Sequence, residues 1–228
     1  MAVSWSRRRA RSERGAVALE AALTFPILLL ILLGIIEFTF LMRDHSVVVS
    51  DTRLAARIAS TGANAGAGDC ETGATAPPCV PANVPKLAQQ AADAIQRAGS
   101  AMPVDQIQYL LVYKANAQGY PGADGNTTMP TSCSGVASCV KFVWRPNQNA
   151  FRYNSGAWDP KTISACFPGN GSQPLDRVGI QLVALHKNFT GMFGSTLTQS
   201  TPESGSLSQK PGVARTTGMV GTARMSCS

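Results

Sequence analysis

Residues 13–26 read ERGAVALEAALTFP. A basic segment ends at Glu13, Arg14 and Gly15, and an apolar helix begins at once. That helix carries a carboxylate, Glu20, five residues past the glycine. Downstream, Ala21 to Ile36 reads AALTFPILLLILLGII and holds no charge. At ~1.5 Å per residue the run is roughly 24 Å long as a helix. Its flanks, Ala16–Leu19 and Phe38–Met42, extend it past the ~20 residues that span hydrocarbon. Pro26 lacks an amide hydrogen, so a kink is expected near residues 22–26.

Upstream, Arg7, Arg8, Arg9, Arg11 and Arg14 oppose one acid, Glu13. They supply +4 of the formal net charge of +7, leaving +3 for everything after residue 15. Charge gathered beside an apolar run sets topology: the N-terminus stays in the cytoplasm and the chain after about Arg43 lies outside. The same reasoning reads the basic total as topology and not as nucleic-acid binding. No small-x-small cleavage site follows the apolar run, where the chain reads FTFLMRD, so a secretory signal is disfavoured. An uncleaved anchor suits the length but leaves Glu20 and Glu37 unexplained. A carboxylate at the centre of such a helix costs about 2.5–3.5 kcal/mol on insertion scales. Near the helix ends, both acids could reach water. At about 100° per residue they point roughly 100° apart, so they form no single polar stripe.

Outside the apolar run, Val47, Val48, Leu54, Ala55 and Ile58 recur at helical spacing and prolong the first helix to Gly62. Residues 62–84 form a Gly/Ala/Pro loop and a candidate hinge. A second helix is expected over about Pro85–Ala98, with Leu87, Ala91, Ile95 and Ala98 on one face. Strands follow at about 105–115, where Ile107, Tyr109, Leu111 and Tyr113 alternate, at 139–145 and at 177–189, with a weaker one over 213–226. FRYNSGAW, residues 151–158, reads as a hairpin turning on Asn-Ser-Gly. Helices first and strands after argue for an α+β fold: a long N-terminal transmembrane helix, a second helix and an antiparallel sheet. The expected divisions are a basic leader (1–15), a transmembrane helix (16–42), its continuation (43–61), the loop (62–84) and an extracytoplasmic α+β domain (85–228).

The RGAVALE segment resembles the type IV prepilins, which have a basic leader ending in Gly, a cut after it, and Glu at the fifth mature position. Gly15, Ala16 and Glu20 take those places. The longer run RRRARSERGAVALEAALTFPILLLILLGIIEF is similar to the TadE family of the tight-adherence pilus system, including the exit at Gly34, Glu37 and Phe38. DTRLAARIAS (51–60) matches the family's Arg- and Ala-rich continuation, and RVGIQLVALHKNFTGMFG resembles its strand and Phe-Gly turn. The chain departs from the family in ending ARMSCS, without the frequent Glu-Pro. The resemblance implies a pilin-like fold and processing after Gly15 by a membrane prepilin peptidase. It also implies pairing of Glu20 with the free amine of a neighbouring subunit. The partners would be the membrane, the peptidase, other pilin-like subunits and the pilus assembly machinery. The place would be a bacterial cytoplasmic membrane or a cell-surface pilus.

All six cysteines, Cys70, Cys79, Cys133, Cys139, Cys166 and Cys227, follow the apolar helix. An even count on the exported side suggests disulfides. Short spacings favour Cys70–Cys79 and Cys133–Cys139, with Cys166–Cys227 tying down the tail. A zinc site would want C-x-x-C spacing, and only His45 and His186 could assist, so no metal is expected. No G-x-S-x-G, Walker loop or H-E-x-x-H is present, so no catalytic residue and no cofactor are assigned. The sequons at Asn126 and Asn188 are chance matches if the cell is bacterial. Trp144, Tyr153 and Trp158 gather around 151–158, favouring core packing over an adhesive patch. The reading is therefore a TadE-like, pilin-like membrane protein and not an enzyme. The alternative is an uncleaved, single-pass anchored binding domain.

Overall fold

The computed structural model describes residues 6–69, 80–98, 104–163, 176–186, 214–217 and 221–224. Two helices, α1 (Ser6–Thr61) and α2 (Lys86–Arg97), precede six strands. These are β1 (Ile107–Ala115), β2 (Cys139–Arg145), β3 (Ala150–Ala157), β4 (Arg177–His186), β5 (Ala214–Thr217) and β6 (Gly221–Arg224). They form one antiparallel sheet in the order β3-β2-β1-β4-β5, with β6 also on β4. The α+β architecture expected from the element order is the one observed. The chain separates into two units, Met1–Met42 and Arg43–Ser228.

In the first unit, α1 passes through Pro26 without ending. In the second, α1 stops at Thr61, where the Gly62 amide donates to the Ile58 carbonyl at 3.0 Å. The loop after it closes on itself: Gly68 N–H donates to Val84 O at 2.9 Å, and Lys86 N–H to Gly66 O at 3.0 Å. Lys86 and Asp69 add an exposed ion pair, worth little in water. Cys70 and Cys79 lie outside the described residues.

Helix α2 buries Leu87, Ala88, Ala91, Ala92, Ala94 and Ile95. The expected face included Ala98, which is exposed at the C-cap. These side chains join Val48, Ala55, Ala56 and Ala59 over one face of the sheet, formed by Ile107, Leu110, Val112, Val140, Phe142, Phe151, Ile180 and Leu182. Small alanines let α2 approach the sheet closely, and Trp158, Phe142 and Phe151 fill the larger gaps. The opposite face carries Tyr109, Leu111, Tyr113, Ala115 and Val183, covered by the 116–138 connection with its Cys133. β1 lies at the centre with both faces covered, which is why its sequence is a nearly continuous apolar run.

The strand expected at about 105–115 is observed as β1, and its alternating Ile107, Tyr109, Leu111 and Tyr113 divide between the two faces. The register of β1 on β4 shifts between Ile107 and Tyr109, so Ile107 joins the helix-covered core and the other three the opposite side. The Asn-Ser-Gly of 151–158 is not a turn but lies within β3. The hairpin turns earlier, through a 3-10 turn at Pro146–Gln148 and Asn149 in the left-handed region (φ 46°). Asn154 is the extra residue where the β2–β3 register shifts, and Gly156 follows at φ +95°. A Cβ on Gly156 would lie 2.2 Å from the Cys139 carbonyl oxygen, so this site requires glycine. Finally, the expected strand over 213–226 is two short strands on the same edge of β4, with the register slipping by one residue between them.

Candidate functional site

The segment that begins at Gly15 is helical because straight-chain and small residues dominate it. Every residue from Gly15 to Leu32 is exposed. Leu19, Leu23 and Phe25 are each 66% exposed, far beyond what a soluble monomer leaves contiguous. Over this stretch α1 is long and apolar enough to cross a membrane, with a mean hydropathy of 2.5. Its hydroxyls are satisfied locally: Thr24 Oγ1 donates to the Glu20 carbonyl at 3.0 Å, and Thr39 Oγ1 to the Ile35 carbonyl at 2.8 Å.

Glu20 stands on this surface one helical turn beyond Ala16, on the same side. Its carboxylate has no hydrogen-bond or ion-pair partner among the described residues. Glu37 differs. It is 4% exposed and not left without a partner, so the expectation that it reaches water fails. Gly15 is exposed, and a Cβ there would meet nothing within 4 Å. Glycine inside a helix costs about 1 kcal/mol relative to alanine. No packing contact among the described residues repays that cost at residue 15. Arg7, Arg8, Arg9, Arg11 and Arg14 fall within α1, so the helix crosses the Gly15–Ala16 bond unbroken.

In the second unit the described residues line a cavity of about 470 Å³ with Lys114, Asn116, Asp124, Ser138, Asp176 and Arg177. Lys114 Nζ meets Asp176 Oδ1 at 2.7 Å, and Asp176 is buried. Arg177 Nη1 donates to the Ala117 carbonyl at 3.1 Å. The charges on the lining pair off or balance. Asn116, which sequence reading passed over, organises this region: its Nδ2 donates to Ala123 O and Asn126 O, and its Oδ1 accepts from Gln118 N and Tyr120 N. The only hint in the sequence is its place between a strand and a Gly/Pro-rich loop. Asn126, the first sequon asparagine, donates to Pro121 O at 2.6 Å and is a loop anchor; Asn188 lies outside the described residues.

His45 is half-buried on α1, near exposed Arg53 and Arg57. His186 ends β4, paired with Ala214. Trp158 is 1% exposed, while Trp144 and Tyr153 pack against the same core. Trp144 meets Phe151 edge to face at 5.3 Å, so these aromatics belong to the core. Burial raises the Tyr153 phenol above its ordinary value. Cys133 and Cys139 form a disulfide with a Cα–Cα distance of 5.3 Å. Cys166 and Cys227 lie outside the described residues, and so do their expected pairings. Among the described residues no group of three or more His, Cys, Asp or Glu side chains could hold a metal.

Residues 15–57 match the model of a family described as TadE-like protein. The match begins on Gly15, includes Glu20 and ends within α1. No curated protein and no solved structure matches the chain.

Proposed function

We propose that this chain is a TadE-like, pilin-like subunit for assembly of a tight-adherence pilus, anchored by α1 and processed after Gly15 by a membrane prepilin peptidase. The observation that carries the proposal is the Glu20 carboxylate, without a polar partner among the described residues, on the exposed apolar stretch Gly15–Leu32, one turn from Ala16. Cleavage would create an ammonium at Ala16. Among packed helices in low dielectric, neither a lone ammonium nor a lone carboxylate is stable, and each offsets the desolvation of the other. Within one chain the two lie on a shared helix face, but the neighbouring subunit's amine can approach Glu20 head-on. Removing the leader also removes five arginines that hold the N-terminus at the cytoplasmic face. Gly15, which no packing contact requires, fits a position selected by an enzyme's subsite. The chain is then a substrate and a building block, and its chemistry is done by others.

Intact-mass measurement of the protein extracted from its native membrane tests this. Loss of residues 1–15 is expected. A chain retaining its leader would instead be an anchored domain, with the polar cavity beside Lys114 and Asp176 as its binding surface.

A further inference from the structure

The connection between β1 and β2 is held in two different ways. Residues 116–126 are fixed by hydrogen bonds. Asn116 makes the four already described, Asp124 accepts from Ala117 N at 3.0 Å, and Gln118 Oε1 accepts from Gly125 N at 3.0 Å. Tyr113, beneath this half, donates its hydroxyl to Gly119 O at 3.1 Å. Residues 127–137 lie over Tyr109, Leu111 and Val183 and place Cys133 in that cluster, with Met129 and Val136 packed at its margin. Their described polar ties to the sheet are slight: Lys141 Nζ donates to Thr131 O at an exposed position. Lys141 also sits 4.3 Å above the Tyr109 ring. The strong tie is covalent. Cys133, 3% exposed, is bonded to Cys139 at the first residue of β2.

We infer that residues 127–137 are a strap that closes over this face of the sheet only when Cys133 and Cys139 are oxidised. Closure joins the two sulfurs and releases two protons and two electrons, which a thiol–disulfide oxidant of the exported compartment accepts. In a reducing compartment the strap keeps only the apolar contacts of Met129, Val136 and the Cys133 side chain and the exposed Lys141–Thr131 hydrogen bond, and it opens from Tyr109 and Leu111. The outer face of the domain is therefore completed after export. The inference is independent of leader processing.

Limited proteolysis of the full chain in nanodiscs, mapped by mass spectrometry, tests it in two variants. In Cys133→Ser/Cys139→Ser, cleavage within 127–137 should accelerate roughly tenfold or more, with added binding of a hydrophobic dye. Residues 117–125 and strands β1 and β2 should stay protected. In Asn116→Ala the pattern should invert, with 117–125 opening and 127–137 still closed. A wild-type pattern in the cysteine variant would overturn the inference. So would loss of protection throughout β1 and β2, because the bond would then hold the whole domain. Opening of both halves in Asn116→Ala would equally overturn it.

Discussion

Leu28 and Leu110 are the same residue in two regions that treat it oppositely. In the apolar part of α1, Leu28 is 63% exposed among similarly exposed neighbours. In the centre of the sheet, Leu110 is 0% exposed, with helices above it and strands on both sides. Two acids show the same contrast. Asp176 in the outer unit meets Lys114 at 2.7 Å, whereas Glu20 in the apolar helix has no polar partner among the described residues. The outer unit buries its large apolar side chains within itself, and the apolar helix leaves its own for something else to cover. For about 25 cal/mol per Å² of apolar surface, a bilayer or a bundle of like helices is the missing solvent.

The contrast can be broken most sharply at Glu20. Glu20→Ala should leave membrane insertion intact but reduce incorporation into assemblies roughly a hundredfold, the scale of losing one partner of a desolvated ion pair. Counting the subunit in sheared fibres against membranes checks this, and normal incorporation would deny the acid its pairing role. Next comes the core: Leu110→Ala should cost about 2–5 kcal/mol of outer-domain stability. Urea unfolding followed by tryptophan fluorescence reads it, because Trp158 is buried. Gly156→Ala should cost roughly 1–3 kcal/mol in the same assay, since its backbone is left-handed and the Cys139 carbonyl blocks a Cβ.

Alkaline pH supplies a smaller effect. Burial, with a lesser contribution from Tyr120, raises the Tyr113 phenol above its ordinary value of 10.0. The unfolded chain ionises first, so this contribution is complete below pH 10 and is lost above it. The slope is about 1.4 kcal/mol per pH unit. Tyr113→Phe should flatten that slope in pH-dependent unfolding. The smallest expected change is Leu28→Ala, within about 0.5 kcal/mol on the outer domain's unfolding. A loss comparable to Leu110→Ala would show that the outer domain's stability depends on residue 28.

Local patterns were legible because their causes are local. Helix α2 follows from Pro85 at its start and a spacing of three and four between apolar residues. The Cys133–Cys139 bond follows from a short loop between a turn and a strand. Gly15, Ala16 and Glu20 stood out through an acid where an apolar helix should have none. The misread places are those where two distant segments negotiate. Asn154 and Gly156 look like turn residues in isolation, yet β2 runs past them, leaving Asn154 as a bulge and pairing Gly156 with Val140. Ile107 sits in phase with Tyr109 along the chain, but pairing with β4 puts it on the other face.

The sequence alone determined that an apolar helix opens the chain, that it carries a misplaced anion, and that helices precede strands. Hydrophobic period and charge act within a few residues, so they can be read without a fold. Only the tertiary structure decided which sheet face each strand residue occupies, where the hairpin turns, and how the β1–β2 connection covers the second face. Register, bulges and burial are set by the partner strand, and a residue's own neighbours in sequence do not specify that partner.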